Sequence, residues 1–149
     1  MLIYKNGDIL KATENIICHQ VNVQGIMGGG LAKQIATTYP NVERLYQEHC
    51  KILNNDYEIL KGDYLIGQAK PNQYIANCFT QKPNFDTDYE ALKICFSTLL
   101  GIFKAPIAVP YKYGCGIANG DWGKVSDIFE KLSKKYGVDI VIYKLEKEK

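Results

Sequence analysis

Apolar and polar positions along the chain change period repeatedly. Short apolar runs, spaced as buried strands, alternate with stretches at helical spacing. Met1 to Tyr4 predicts a short strand, stopped by the turn Lys5-Asn6-Gly7-Asp8. The apolar run Asn15-Ile16-Ile17-Cys18 predicts a second strand over residues 14–20. A helix follows over residues 30–39, ending before Pro40 because the residue ahead of proline disfavours helical backbone. Val42, Leu45, Tyr46, Cys50 and Leu53 share one face of the next helix, and Asn54-Asn55-Asp56 is a loop. Asp63 to Gly67 and Gln73 to Phe79 read as a strand pair. A helix opens at Thr87 with Glu90 three residues on, a capping box, and runs to about Phe103. Pro106 to Pro110 is a short buried strand. Asp121 caps a helix that runs to Tyr136 and stops at Gly137. Val138 to Tyr143 is the last strand, and Lys144 to Lys149 form a charged tail.

This alternation predicts one α/β domain over residues 1–149: three layers, with a mixed central sheet and helices on both faces. Ligands of such sheets sit beyond the carboxyl ends of the strands. Two glycine-rich loops belong on that edge. The first is Gly25-Ile26-Met27-Gly28-Gly29-Gly30, between the second strand and the first helix. The second is Tyr113-Gly114-Cys115-Gly116-Ile117-Ala118-Asn119-Gly120. Glycines let backbone approach a ligand closely, and helix N-terminal N–H groups attract an anion. Three consecutive glycines would each cost a helix roughly 1 kcal/mol, so residues 28–30 read as loop. The ligand such loops suit is a phosphate or diphosphate.

Composition narrows the picture. The 149 residues are 46% hydrophobic and 23% charged, a globular balance. The formal charge is +2 and the basic residues are scattered, so no stripe for a nucleic-acid backbone is evident. The five cysteines are odd in number and form no C-x-x-C pair; reduced thiols in a cytoplasmic protein are the simplest reading. No signal peptide or membrane-spanning run is visible, and no metal-ligand spacing or cofactor motif is found. G-x-G-x-x-G is missing after the second strand, which argues against a dinucleotide-dependent dehydrogenase.

The order of the pieces resembles the macrodomain family of ADP-ribose-binding modules. The resemblance rests on Asn6-Gly7-Asp8-Ile9, on His19-Gln20-Val21-Asn22 followed by Gly28-Gly29-Gly30-Leu31-Ala32, and on Gly114-Cys115-Gly116. It covers nearly the whole chain. The branch it most resembles contains ADP-ribose-1″-phosphate phosphatase and the glycohydrolases that remove ADP-ribose from carboxylate side chains or DNA. Related sequences occur in bacteriophages. The resemblance implies that Asp8 and Ile9 bind adenine and that Asn22 faces the distal ribose. It implies that Gly25, Met27, Gly28, Gly29, Gly30 and Leu31 line the diphosphate and ribose sites. Tyr113, Gly114, Cys115, Gly116 and Ile117 would cover them from the other side. His19, Asn22 and Asp121 would be catalytic. The expected partner is ADP-ribose or a derivative, or an ADP-ribosylated macromolecule; a monomer with no membrane partner is expected.

Each candidate has a structural alternative. Asp8 could be a turn or cap aspartate, Asn22 an Asx turn, Asp121 a helix N-cap, Met27 core, and His19 a satisfied strand histidine. Cys115 has no base adjacent in sequence and is assigned to packing, as is Trp122. Some glycohydrolases of the branch use a lysine after the fourth strand and an aspartate in the second glycine loop. Here those positions are Thr80 or Gln81, and Ala118. Three activities stay open: hydrolysis of ADP-ribose-1″-phosphate, removal of ADP-ribose from protein or nucleic acid, and ADP-ribose binding without turnover.

Overall fold

The computed structural model describes residues 1–145. Among the described residues, six strands form a single sheet in the order β1-β6-β5-β2-β4-β3. They are β1 Leu2–Asn6, β2 Ile16–Val21, β3 Tyr64–Lys70, β4 Gln73–Phe79, β5 Ile107–Pro110 and β6 Ile140–Lys144. The pairs β1·β6, β6·β5, β5·β2 and β2·β4 are parallel, and β3 pairs antiparallel with β4. The sheet is therefore mixed, as predicted. Parallel pairing has a direct consequence for the site: the loops after β1, β2, β4 and β5 all leave at one edge.

The helices cover both faces, giving three layers. Alternate side chains of a strand point to opposite faces, and β2 divides accordingly. Ile16 and Cys18 join Leu92, Phe96, Leu99, Val125 and Phe129, beneath α4 (Tyr89–Phe103) and α5 (Trp122–Tyr136). Ile17 joins Ile35, Tyr39 and Val42, beneath α1 (Gly30–Thr38) and α2 (Pro40–Ile52). Val21, Tyr46, Cys50 and Phe79 extend that second core. The central strands are buried on both faces, which is why they read as continuous apolar runs and not as alternating ones.

Several boundaries differ from expectation. β1 runs on to Asn6, and a 3₁₀ turn, Ile9–Lys11, follows Gly7 and Asp8. Pro40 opens α2 at its first turn, where a missing N–H costs nothing. Leu45 faces outward, 40% exposed; Val42, Tyr46 and Cys50 make the buried stripe. A single-turn helix α3, Tyr57–Leu60, capped by Asp56, follows the expected loop Asn54-Asn55-Asp56. The cap of α4 is Asp88, not Thr87: its carboxylate accepts from the Glu90 and Ala91 N–H groups at 3.1 Å each. The Thr87 hydroxyl is engaged elsewhere, donating to the Gly114 carbonyl. α5 is capped by Asp121 and ends at left-handed Gly137, as expected. Lys144 closes β6, and the rest of the expected tail, residues 146–149, lies outside the described residues. All five cysteines are free.

Candidate functional site

The first glycine loop leaves β2 and is organised by Asn22. Its Oδ1 accepts from the Gln24 N–H at 3.1 Å and from the Tyr46 hydroxyl at 2.7 Å, and its Nδ2 donates to the Ile26 carbonyl at 2.9 Å. Asn22 thus builds an Asx turn, the structural alternative, while still lining the cleft with its remaining surface. Gly25 turns away with φ +82° and lies against Gln47 and Cys50 of α2, so it is part of the loop's anchor and not of the ligand wall. Met27 is also displaced from its expected role. It is 5% exposed and packs with Val21, Val23, Tyr46 and Phe79 under the loop, because its unbranched apolar side chain gains more in the core than at the rim. Ile26, by contrast, is 60% exposed and does form wall.

Gly29 is the N-cap of α1 and has no side chain to cap it. The first backbone bond into the helix is Lys33 N–H to the Gly29 carbonyl. The N–H groups of Gly30, Leu31 and Ala32 therefore have no partner within the helix, and these residues line the cleft. A Cβ on Gly29 or Gly30 would meet nothing within 4 Å. The space over the helix start is open, which is the geometry an anion needs.

The second loop is held by side chains from three strands and loops. Gln20 Nε2 reaches Thr80 Oγ1 at 3.2 Å and Thr87 Oγ1 at 3.1 Å. Thr87 Oγ1 donates to the Gly114 carbonyl at 2.6 Å, and Thr80 Oγ1 shares a 2.7 Å hydrogen bond with the Tyr113 hydroxyl. The loop closes on itself through Gly120 N–H to the Gly114 carbonyl at 2.9 Å. A Cβ on Gly120 would lie 2.3 Å from that carbonyl oxygen, so only glycine fits. Tyr113 is 2% exposed, with its ring edge-on to Phe96 and Phe129. It supports the cleft from below and does not cover it. Cys115 packs against the α4–α5 core, and burial first, then Asp121, pushes its thiol up to about 11. Its N–H is spent on the Lys112 carbonyl. That is the environment of an inert thiol, and neither its thiol nor its N–H is free for a ligand. Ile117, 84% exposed, overhangs the cleft.

Asp8 lies at the far end of the same edge. Its Oδ1 caps the 3₁₀ turn by accepting from the Leu10 N–H at 2.9 Å. Asp8 and Ile9 line a cavity of about 210 Å³ with Tyr111 and Tyr143. That cavity shares Gly30, Leu31, Pro110 and Tyr111 with a middle cavity of about 410 Å³ between the two glycine loops. The middle cavity shares Gln20, Gly29, Ala32, Gln81 and Ile117 with a third, of about 400 Å³, which Asn22, Ile26 and Phe85 also line. The three make one continuous cleft along the carboxyl edge. The middle section carries Lys112 and Gly116. Among the described residues, the third is lined by amides, glycines and apolar side chains, with no ionisable group.

His19 lies on the middle floor, 2% exposed, with Nε2 2.7 Å from Asn77 Oδ1. Burial pushes its pKa down, against smaller upward pulls from Asn77 and Cys78. Asp121 is not on the cleft: its Oδ1 accepts from the Gly123 N–H at 2.8 Å and its own N–H donates to Tyr89. Its proposed catalytic part yields to helix capping. Trp122 is half-buried, edge-on to Tyr111 at 5.3 Å. Gln20, Gln81 and Phe85 were missed from the sequence. Phe85 carried a signal in the turn-rich Lys82-Pro83-Asn84-Phe85-Asp86, and it stands at φ +75°.

No family model matches the chain. The solved macrodomain of Mycobacterium tuberculosis DarG superposes with a TM-score of 0.83 at 26% identity, over 96% of this chain and 97% of that one. The chain has the macrodomain fold. The chain is also 28% identical to the DNA ADP-ribosyl glycohydrolase of Mycobacterium tuberculosis over 96% of its own length. It spans 42% of that relative. Over 54% of its length it is 31% identical to the ADP-ribose 1''-phosphate phosphatase of Scheffersomyces stipitis, covering 56% of that protein. Both relatives are hydrolases by name. Of the positions matched above to a glycohydrolase lysine and aspartate, Gln81 and Ala118 line the middle cavity, while Thr80 is fully buried and does not.

Proposed function

We propose that this macrodomain binds ADP-ribose along the cleft and hydrolyses the bond joining its distal ribose to a group held in the third cavity. The carrying observation is the continuity of the cleft. An adenine-sized end with the Asp8 carboxylate leads into a middle lined by uncapped helix N–H groups and Lys112, and then into a far end walled by Ile26, Phe85 and Ile117. Asp8 has one oxygen left to accept from an exocyclic amine, and the Ile9 N–H has no partner among the described residues. A diphosphate fits the middle.

Two leaving groups compete. A terminal phosphate would make the protein an ADP-ribose-1″-phosphate phosphatase. A protein or nucleic-acid conjugate would make it a de-ADP-ribosylating glycohydrolase. The absence of any ionisable residue among those lining the third cavity, and its apolar Ile26, Phe85 and Ile117, favour a neutral group with a flat apolar face over a phosphate. The test sets a calorimetric titration with ADP-ribose beside three turnover assays. These measure phosphate release from ADP-ribose-1″-phosphate, and ADP-ribose release from an ADP-ribosylated oligonucleotide and from an ADP-ribosylated glutamate peptide. Binding with Kd near ~1 µM, about −8 kcal/mol, is expected. No binding heat at millimolar ADP-ribose removes the reading. Binding with no release in any assay leaves an ADP-ribose sensor.

A further inference from the structure

His19 is held by one partner and lacks another. Asn77, fully buried beside it, donates through Nδ2 to the Leu65 carbonyl at 3.1 Å. That bond decides which end of the amide faces the ring. The oxygen does, 2.7 Å from Nε2, and an amide oxygen only accepts. Nε2 therefore carries the proton. Burial keeps the ring neutral near pH 7, opposed by Asn77 and Cys78. In a neutral imidazole with Nε2–H, Nδ1 is a bare acceptor. His19 Nδ1 is buried and has no partner among the described residues, although the residue lines the middle cavity. A buried acceptor without a donor calls for a reason.

We propose that Asn77 is a positioning residue: it locks His19 in the Nε2–H tautomer, so that Nδ1 accepts a hydrogen bond from a hydroxyl of the bound ligand. This rests on the cleft being an ADP-ribose site. It assigns the ring the part of acceptor, with no proton to give at Nδ1. It also explains why a strand histidine beside a ligand loop is paired with a neutral amide and not with a carboxylate. A carboxylate at position 77 would favour the doubly protonated ring and close the acceptor.

Nitrogen NMR of histidine-labelled protein reads the tautomer directly, with His49→Gln identifying which signals belong to His19. The expected spectrum of the free protein at pH 7 has a protonated-type Nε2 and a bare-type Nδ1. Saturating ADP-ribose should shift Nδ1 and leave the tautomer unchanged. An Nδ1–H form in the free protein, or an Nδ1 signal indifferent to bound ADP-ribose, overturns the proposal. Asn77→Asp should raise the His19 titration midpoint by about one unit or more, a tenfold change in proton affinity. It should also weaken ADP-ribose about tenfold at a pH where the ring is charged. Unchanged affinity in a folded Asn77→Asp protein with a charged His19 also overturns it. If wild type does not bind ADP-ribose at all, the functional reading falls, while the free-protein spectrum still decides the tautomer.

Discussion

At the scale of single residues, two glycines separate structure from binding. Gly29 has extended backbone that any residue adopts and open space around its missing Cβ. Gly29→Glu should keep stability within about 0.5 kcal/mol of wild type. It should lose ADP-ribose binding, because a carboxylate would stand where phosphate must sit; denaturant unfolding and calorimetry check the two halves. Gly120 is the opposite case. Gly120→Ala drives a methyl to 2.3 Å from the Gly114 carbonyl, and should cost about 1–3 kcal/mol as overpacking does. Asp8→Asn is a third probe. Asparagine caps a helix as well as aspartate, so stability should hold, while the second oxygen becomes an N–H₂ facing the adenine amine. Affinity should fall by about 1–3 kcal/mol, the cost of an unpaired buried donor; an unchanged Kd would show that Asp8 is a cap alone. The glycines were legible because their cost elsewhere demands a reason. Met27 and Tyr113 were not, since loop residues carry no period to say which way they face. Gln20 was passed over because its partners, Thr80 and Thr87, are 60 and 67 residues away.

At the scale of elements, strand and helix order was legible almost throughout, since each core element carries its own apolar period. What failed was local competition for hydrogen bonds. Thr87 and Asp88 both suit a helix N-cap, and tertiary demand decided between them: the Gly114 carbonyl took the threonine hydroxyl. α3 was missed because four residues are too few to show a period. Asp88 gives a pH test of the element. Burial pushes its carboxyl up, but the Tyr57 hydroxyl, the Ala91 and Glu90 N–H groups and the Lys82 charge outweigh it and hold it below the ordinary value. A depressed folded-state value stabilises the native state above the unfolded pKa, about 3.9, and the gain is lost as pH falls through the folded value. Asp88→Asn should therefore flatten the loss of stability below about pH 4 while keeping the cap. Thermal unfolding from pH 7 to pH 2.5 measures it, and identical slopes for both proteins would show that the Asp88 charge carries no stability.

At the scale of the whole molecule, the sheet order makes the site. β5 and β2 are neighbours, β1 stands two strands away across β6, and all run in the same direction. The segments that read as unrelated motifs, Asp8-Ile9, Gly28-Gly29-Gly30 and Gly114-Cys115-Gly116, therefore leave one edge and border one cleft. A sequence pattern can say that strands exist; which strands pair is set by burial across the whole core, so the joining of three motifs became visible only in the fold. Continuity has a measurable consequence. A ligand that binds only the native state stabilises it by about 2.7 kcal/mol at one hundred times its Kd. For a domain of about 150 residues this raises Tm by roughly 5–10 °C. On the proposed reading, AMP would reach the Asp8 end alone, ADP would add the diphosphate between the glycine loops, and ADP-ribose would extend to the third cavity. At one fixed concentration the Tm shift should therefore grow from AMP to ADP to ADP-ribose, and in Gly29→Glu all but the adenine contribution should vanish. Equal shifts for AMP and ADP-ribose would mean that the three cavities act separately, and that the glycine loops hold no part of the ligand.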